Sequence, residues 1–180
     1  MNKLSFSFFA GLFLCASALA ETSMEIEVGP GYGLNGNPNS MRYEFQLETD
    51  VSEDWEVDVF QRVAKPVGYA KWDQKTEFGI KRSWDIPFFR FSLGRNSELE
   101  KSYNYYNLMP GVAFELSPDW TMKLAYRYIH SVPSESETSI SRTYRTAFEY
   151  RLDKNNKLKF KWDHERREMN EFAFGWAYSF

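Results

Sequence analysis

Only one cysteine occurs in the sequence, Cys15, and it stands inside an N-terminal stretch with the form of a secretory leader. MNKLSFSFFAGLFLCASALA carries one lysine, an apolar core over about 6–14 and a small-x-small close at Ala18-Leu19-Ala20, which predicts cleavage before Glu21. Leu14 precedes the cysteine where a lipoprotein site needs a small residue, so lipid attachment is not expected. Loss of the leader leaves a chain without a thiol, and no disulfide can staple it. No later run approaches the ~20 apolar residues of a membrane helix. A surplus of either charge is also lacking: 22 Lys and Arg stand against 25 Asp and Glu, which argues against nucleic-acid binding. No glycine-rich phosphate loop follows a strand and opens a helix, and no cofactor is expected. Residues 21–180 read as one domain.

What the chain does have is aromatic residues, 18% of the total, in a sequence whose average hydropathy is polar. The two fit together if the apolar side chains all lie on one side of the structure. Period-two alternation shows this directly. In MRYEFQLET, Met41, Tyr43, Phe45 and Leu47 alternate with Arg42, Glu44, Gln46 and Glu48. WEVDVFQRV, WTMKLAYRY and KLKFKWD repeat the pattern. Successive side chains of a strand point to opposite faces, so each segment has an apolar face and a charged face. Ten such segments fall near 24–33, 41–49, 55–64, 72–81, 88–95, 103–116, 120–130, 140–151, 157–164 and 171–180. The intervening turns alternate: DVSED, SWDIP, SPD and DKNN are tight, whereas LNGNPNS, KPVGYAK, RNSELEKS, HSVPSESETS and ERREMN are longer and more polar. A weak hairpin repeat links YEFQLETDVSEDWEVDVF, VAFELSPDWTMKLAY and AFEYRLDKNNKLKFKW.

A soluble sandwich explains alternation alone. It does not explain why Trp55, Tyr69, Trp72, Trp84, Trp120, Tyr128, Trp162, Trp176 and Tyr178 gather near strand ends, where membrane proteins place interfacial belts. Lipid offers no hydrogen bonds, so a membrane sheet must close on itself. The expected fold is all-β: a transmembrane antiparallel up-and-down barrel of about ten strands, with eight and twelve as the neighbouring even counts. Both termini are expected in the periplasm.

The chain ends in FAFGWAYSF, with Phe172, Phe174, Trp176, Tyr178 and Phe180 on one face and Ala173, Gly175, Ala177 and Ser179 on the other. This end resembles the C-terminal assembly signal of bacterial outer-membrane barrels. The resemblance implies export to the Gram-negative outer membrane, contact with periplasmic chaperones and the barrel-assembly machinery, a surround of lipid and lipopolysaccharide, and a last strand that closes onto the first.

If apolar faces look outward, the acids Glu44, Glu48, Glu56, Asp58, Asp73 and Glu77 line the inside of strands one to four, with Glu25 and Glu27. The bases Arg90, Lys123, Arg127, Arg145, Arg151, Lys157, Lys159 and Lys161 line strands five to ten. Arg42, Arg62, Lys75 and Lys81 are the minority bases of the first set; Glu115, Glu149, Asp163 and Glu171 are the minority acids of the second. Such a wall forms either a salt-bridged plug or a narrow channel with a transverse field. A basic wall suits an acidic sugar, because Arg grips carboxylates bidentately.

YRYIHSVPSESETSISRTYRTAFEYRL followed by HERREMNEFAFGWAYSF resembles the C-terminal part of small oligogalacturonate-specific porins. The resemblance covers about 125–180. It implies a monomeric barrel that passes acidic oligosaccharides along an Arg- and Lys-lined lumen, with Arg127, Arg142, Arg145 and Arg151 in that wall. The chain departs from the family in having two strands fewer than its usual twelve and an acidic interior in strands one to four. The expectation is therefore porin-like passage of small or oligomeric solutes, the alternative a closed barrel acting through its outer loops or stabilising the membrane. Enzymatic activity is not expected. His130-Ser131 resembles the His and Ser of a lipid A deacylase, but the spacing differs and both residues read as part of a polar loop; His164 with Asp163 and Glu165 makes a poor metal site.

Overall fold

A computed structural model describes residues 21–32, 38–66, 72–97, 102–132, 140–165 and 170–180. Residues 1–20, where a leader is expected, and the tips of the five longer connections lie outside the described residues. Ten strands follow one another: β1 (Thr22–Tyr32), β2 (Pro38–Ser52), β3 (Trp55–Pro66), β4 (Asp73–Ser83), β5 (Pro87–Ser97), β6 (Ser102–Ser117), β7 (Trp120–Val132), β8 (Ile140–Arg151), β9 (Asn156–Glu165) and β10 (Asn170–Ser179). Each pairs antiparallel with its sequence neighbours, and β1 closes on β10. The sheet thus has no free edge, as lipid demands.

The apolar residues are outside. Phe45, Phe78, Leu93, Tyr144 and Phe174 all project from the barrel wall and are exposed. Buried positions are instead mostly charged or hydroxylated, among them Glu27, Glu44, Asp58, Glu77, Arg90, Ser92 and Lys161. This inversion of a soluble core marks a protein whose outer solvent is hydrocarbon.

The tight turns form one rim. Asp153 organises the last of them: its carboxylate accepts the backbone N–H of Asn155 at 2.8 Å and of Asn156 at 2.9 Å. Those bonds, the Asn155 amide first, hold this exposed carboxyl below its ordinary range. Asp85 turns the chain between β4 and β5 with φ of 53°, a left-handed conformation that Asp tolerates. Both ends of the described chain share this rim, where the Phe180 N–H donates to the Thr22 carbonyl at 2.9 Å. Short turns mark the periplasmic side of such barrels.

His130 and Ser131 belong to the upper end of β7 and not to a loop, because the alternation of that strand continues through them. β3 also departs from the simple pattern: Phe60 lies on the inner face and Gln61 on the outer one.

Bulky inward residues face glycine across the sheet. Tyr105 stands opposite Gly94. A Cβ added at Gly94 would lie 2.3 Å from the Tyr105 ring. Gly94→Ala should therefore cost roughly 1–3 kcal/mol by overpacking. The same change in a Tyr105→Ala background should cost less, the remaining close contact being the Thr76 carbonyl oxygen at 2.8 Å. Urea unfolding of the four proteins in lipid vesicles checks this; equal costs in both backgrounds would separate the glycine from the tyrosine.

Candidate functional site

Inward charges gather into two clusters at mid-height. The first centres on Glu77 of β4, which is 2% exposed. One carboxylate oxygen accepts from Tyr105 at 2.9 Å, from Lys75 at 3.0 Å and from Arg127 at 3.2 Å. The other accepts from Ser92 at 2.9 Å and Arg90 at 3.0 Å. Arg90 also grips Asp58 bidentately, at 2.6 and 2.9 Å. Room for that grip comes from Gly79, directly across from Asp58, where any Cβ would strike both partners. Lys75 lies over the Tyr105 ring, 4.7 Å from its centroid. Asn107 completes the cluster by donating to Ser92 at 3.2 Å. Four strands, β4 to β7, thus meet at one carboxylate, and Arg90 links β3 to them through Asp58.

The second cluster spans the closure seam. Lys159 on β9 reaches past β10 to Glu25 on β1, and Lys161 does the same to Glu27 and, farther on, to Glu44 of β2. Arg42 on β2 reaches back past β1 to Glu171 on β10, and also meets Glu44 at 3.1 Å. These spans are open because the residues being crossed are small. Gly175 and Ala173 lie opposite Lys159 and Lys161, and Gly29 lies opposite Arg42. The small residues of FAFGWAYSF therefore have a purpose on the inner face: they let β9 and β1 exchange charge over β10. Arg145 and Asp163 make a separate bidentate pair between β8 and β9, with both bonds at 2.7 Å.

The clusters divide the lumen. A cavity of about 160 Å³ lies on the tight-turn side, lined by Phe60, Phe88, Met109, Lys123 and Glu149 among others. A second, of about 350 Å³, opens toward the long connections, lined by Arg62, Tyr103, Ser131, Thr143 and Glu165 among others. Glu77, Arg90 and Asn107 face the first cavity, Lys75, Tyr105 and Asp163 the second, and Arg127 stands at the boundary, lining both.

Of the basic residues singled out from sequence, Arg90, Arg127, Arg145, Lys159 and Lys161 are bound into these clusters, and Lys123 pairs with Glu149 at 2.6 Å. Arg151 is exposed at the turn rim beside Lys157, and neither has an ion-pair partner among the described residues. Of the acids, Glu44, Asp58 and Glu77 are in the clusters. Glu56 holds Lys81 at 2.6 Å and Glu48 accepts from Gln46 at 2.8 Å, both nearer the turn rim. Asp73 is half-buried at the far end of β4. Arg142, placed in the inner wall by the porin resemblance, faces outward: it shares parity with Tyr144, whose ring is 58% exposed. The terminal stripe faces outward as well, Phe174 at 58% and Phe180 at 67% exposure.

Counting charges from sequence missed the neutral members, Ser92, Tyr105 and Asn107. Their signal was available as polar residues at inward parity on β5 and β6. His130 and Ser131 cannot act together, since His130 points outward and accepts or donates to the Tyr106 hydroxyl at 2.8 Å while Ser131 is buried inside.

Removing both lysines of the seam, as Lys159→Met with Lys161→Met, strands Glu25 and Glu27 without a partner. Loss of one side of a buried ion pair costs about 3–5 kcal/mol. The variant should unfold at clearly lower urea in vesicles, and adding Glu25→Gln with Glu27→Gln should restore most of the loss. A double-lysine variant as stable as the parent would show that the seam does not rely on charge.

No protein-family model matches the chain, and no curated protein matches it. Solved structures of membrane barrels do. The KdgM porin in complex with disordered oligogalacturonate is 12% identical over 90% of this chain and 99% of that one, with a TM-score of 0.49. The Yersinia pestis outer membrane protein Ail is 12% identical over 90% of this chain and all of that one, at 0.47. A de novo designed transmembrane β-barrel is 17% identical, covering 89% and 95%, at 0.42. The chain thus resembles small outer-membrane β-barrel proteins, and the likeness is one of fold.

Proposed function

We propose that the protein is an outer-membrane barrel whose lumen is closed to oligosaccharides by a charged septum, and that its role is carried by the surfaces it presents to the membrane and at its outer mouth. The observation that supports this reading is the Glu77 cluster, in which one buried carboxylate ties together β4, β5, β6 and β7, and Arg90 extends the tie to β3. A basic wall recruits an acidic sugar only if its cations are free. Here Arg90, Arg127, Arg145, Lys159 and Lys161 already hold carboxylates of the chain itself. Ten strands also lie near the filled end of barrel sizes, far from the roughly sixteen that leave an aqueous channel.

A second reading, a narrow pathway for small ions, draws on the polar cavities at both sides of the septum. In either case the barrel stands as a monomer surrounded by lipid and lipopolysaccharide, and the outward stripe ending in Phe180 is what the barrel-assembly machinery would read.

Planar-bilayer recording of the refolded protein decides between these readings. The septum predicts a silent parent and discrete conductance steps for Glu77→Ala. Small steps in the parent, indifferent to an acidic oligosaccharide, would favour the ion pathway. Parent steps blocked by that sugar would overturn the closed reading and restore the porin one.

A further inference from the structure

The outer surface is not uniformly apolar. On the β3–β6 wall, Gln61, Thr76, Arg95 and Asn104 are lateral neighbours in one continuous row. All four share the outward parity of Val59, Phe78, Leu93 and Tyr106, which form the row just below. Gln61, Arg95 and Asn104 are exposed. Directly above, Gln74 lies beside Ser97, and Ser97 beside Ser102. Polar residues therefore cover this part of the wall over two rows.

Their depth follows from two anchors. At the turn rim the Arg82 guanidinium lies between Trp55 and Trp84, 5.3 and 4.9 Å from their rings. At the other end Lys65 stands over Trp72, 5.7 Å from its ring. Tryptophan–cation pairs of this kind sit at membrane interfaces. Arg82 and Trp72 are ten residues apart, roughly 25 Å of height on a strand tilted by about 40°. That matches the apolar band of ~25 Å typical of such barrels. Thr76 is only six residues above Arg82, or roughly 15 Å of height. The polar row and Arg95 beside Thr76 consequently lie within the outer half of the band and not above it.

A cation at that depth needs an anionic partner. None comes from the barrel exterior: among the described residues, every Asp and Glu of the outer half points inward, and the outward charges there are Lys65, Arg95 and Arg142. A second copy meeting this wall would bring from its own outer half the same outward cations and, among the described residues, no outward acid. The ligand must bring negative charge and acceptor oxygens together at the membrane surface.

We propose that the β3–β6 outer wall is a binding site for the phosphorylated headgroup of an outer-leaflet glycolipid, held by Arg95 and oriented by Gln61, Gln74, Thr76 and Asn104. The guanidinium grips a phosphate through two parallel N–H bonds. The amides and hydroxyls contact the adjoining sugar. Because the apolar height is reduced here, the headgroup settles below its usual level and the bilayer thins locally. This site is independent of whether the septum conducts.

The test is native mass spectrometry of the refolded full chain incubated with bisphosphorylated lipid A or with lipid A stripped of its phosphates. The parent should retain the phosphorylated lipid through detergent exchange and lose the stripped one. Arg95→Leu, which adds apolar surface where lipid already lies, should weaken retention about tenfold or more while keeping the heat-modifiable migration of a folded barrel. Gln61→Leu with Thr76→Val should weaken it several-fold with Arg95 intact. Equal retention by parent and Arg95→Leu, equal retention of both lipids, or a dimer that forms in place of lipid binding would each overturn the proposal.

Discussion

Charge buried inside a narrow lumen is costly unless other side chains neutralise it. Everything else in this barrel is arranged around that condition. Glu77 alone is an expensive group to bury; surrounded by Lys75, Arg90, Arg127, Tyr105 and Ser92 it becomes the point at which half the wall is tied together. Glycines at 79 and 94 are the counterpart of that tie, since they leave space for large side chains to lean inward from the next strand. Because these groups share one carboxylate, the effects of removing them singly are not expected to add.

The exterior follows the opposite rule. Hydrocarbon tolerates rings and aliphatic chains, and strands of period two can satisfy both demands at once. The wall that breaks the rule, from β3 to β6, does so with a laterally continuous set of polar residues and a single guanidinium. Scattered polar residues would suggest neutral drift of an outer surface. A row in register across four strands is a surface with a shape and a charge.

Much of this was legible in the sequence. Period two needs no tertiary information, and all ten strands fall within a few residues of where alternation puts them. Inward parity also follows directly, which is why Glu77, Arg90 and Lys161 could be named. Partner choice could not be read, because it depends on register and on the size of the residues being crossed. Lys159 selects Glu25 on a strand that is not its neighbour, and only the small inner face of β10 explains the reach. Arg142 lies at the long-connection end of β8 and parity turns it outward, which the porin resemblance does not convey. Phe60 and Gln61 invert the expected polarity of their faces, and the chain alone offers no reason for it until the polar row on the outside is seen. The tight turns were visible as Asp, Pro and Asn clusters, whereas the left-handed backbone at Asp85 was not.

The seam pairs join residues 134 and 117 positions apart in the chain. Glu25, Glu27 and Glu44 are synthesised first, and their lysines arrive only with β9. Until then Glu25 and Glu27 lack the lysines that hold them, and of the three acids only Glu44 has a cation at hand, Arg42 of its own strand. A chain broken off before β9 consequently cannot settle as a smaller barrel, since its first hairpin would keep like charges facing one another. The barrel proofreads its own completeness: the last strands are the condition on which the first ones become stable.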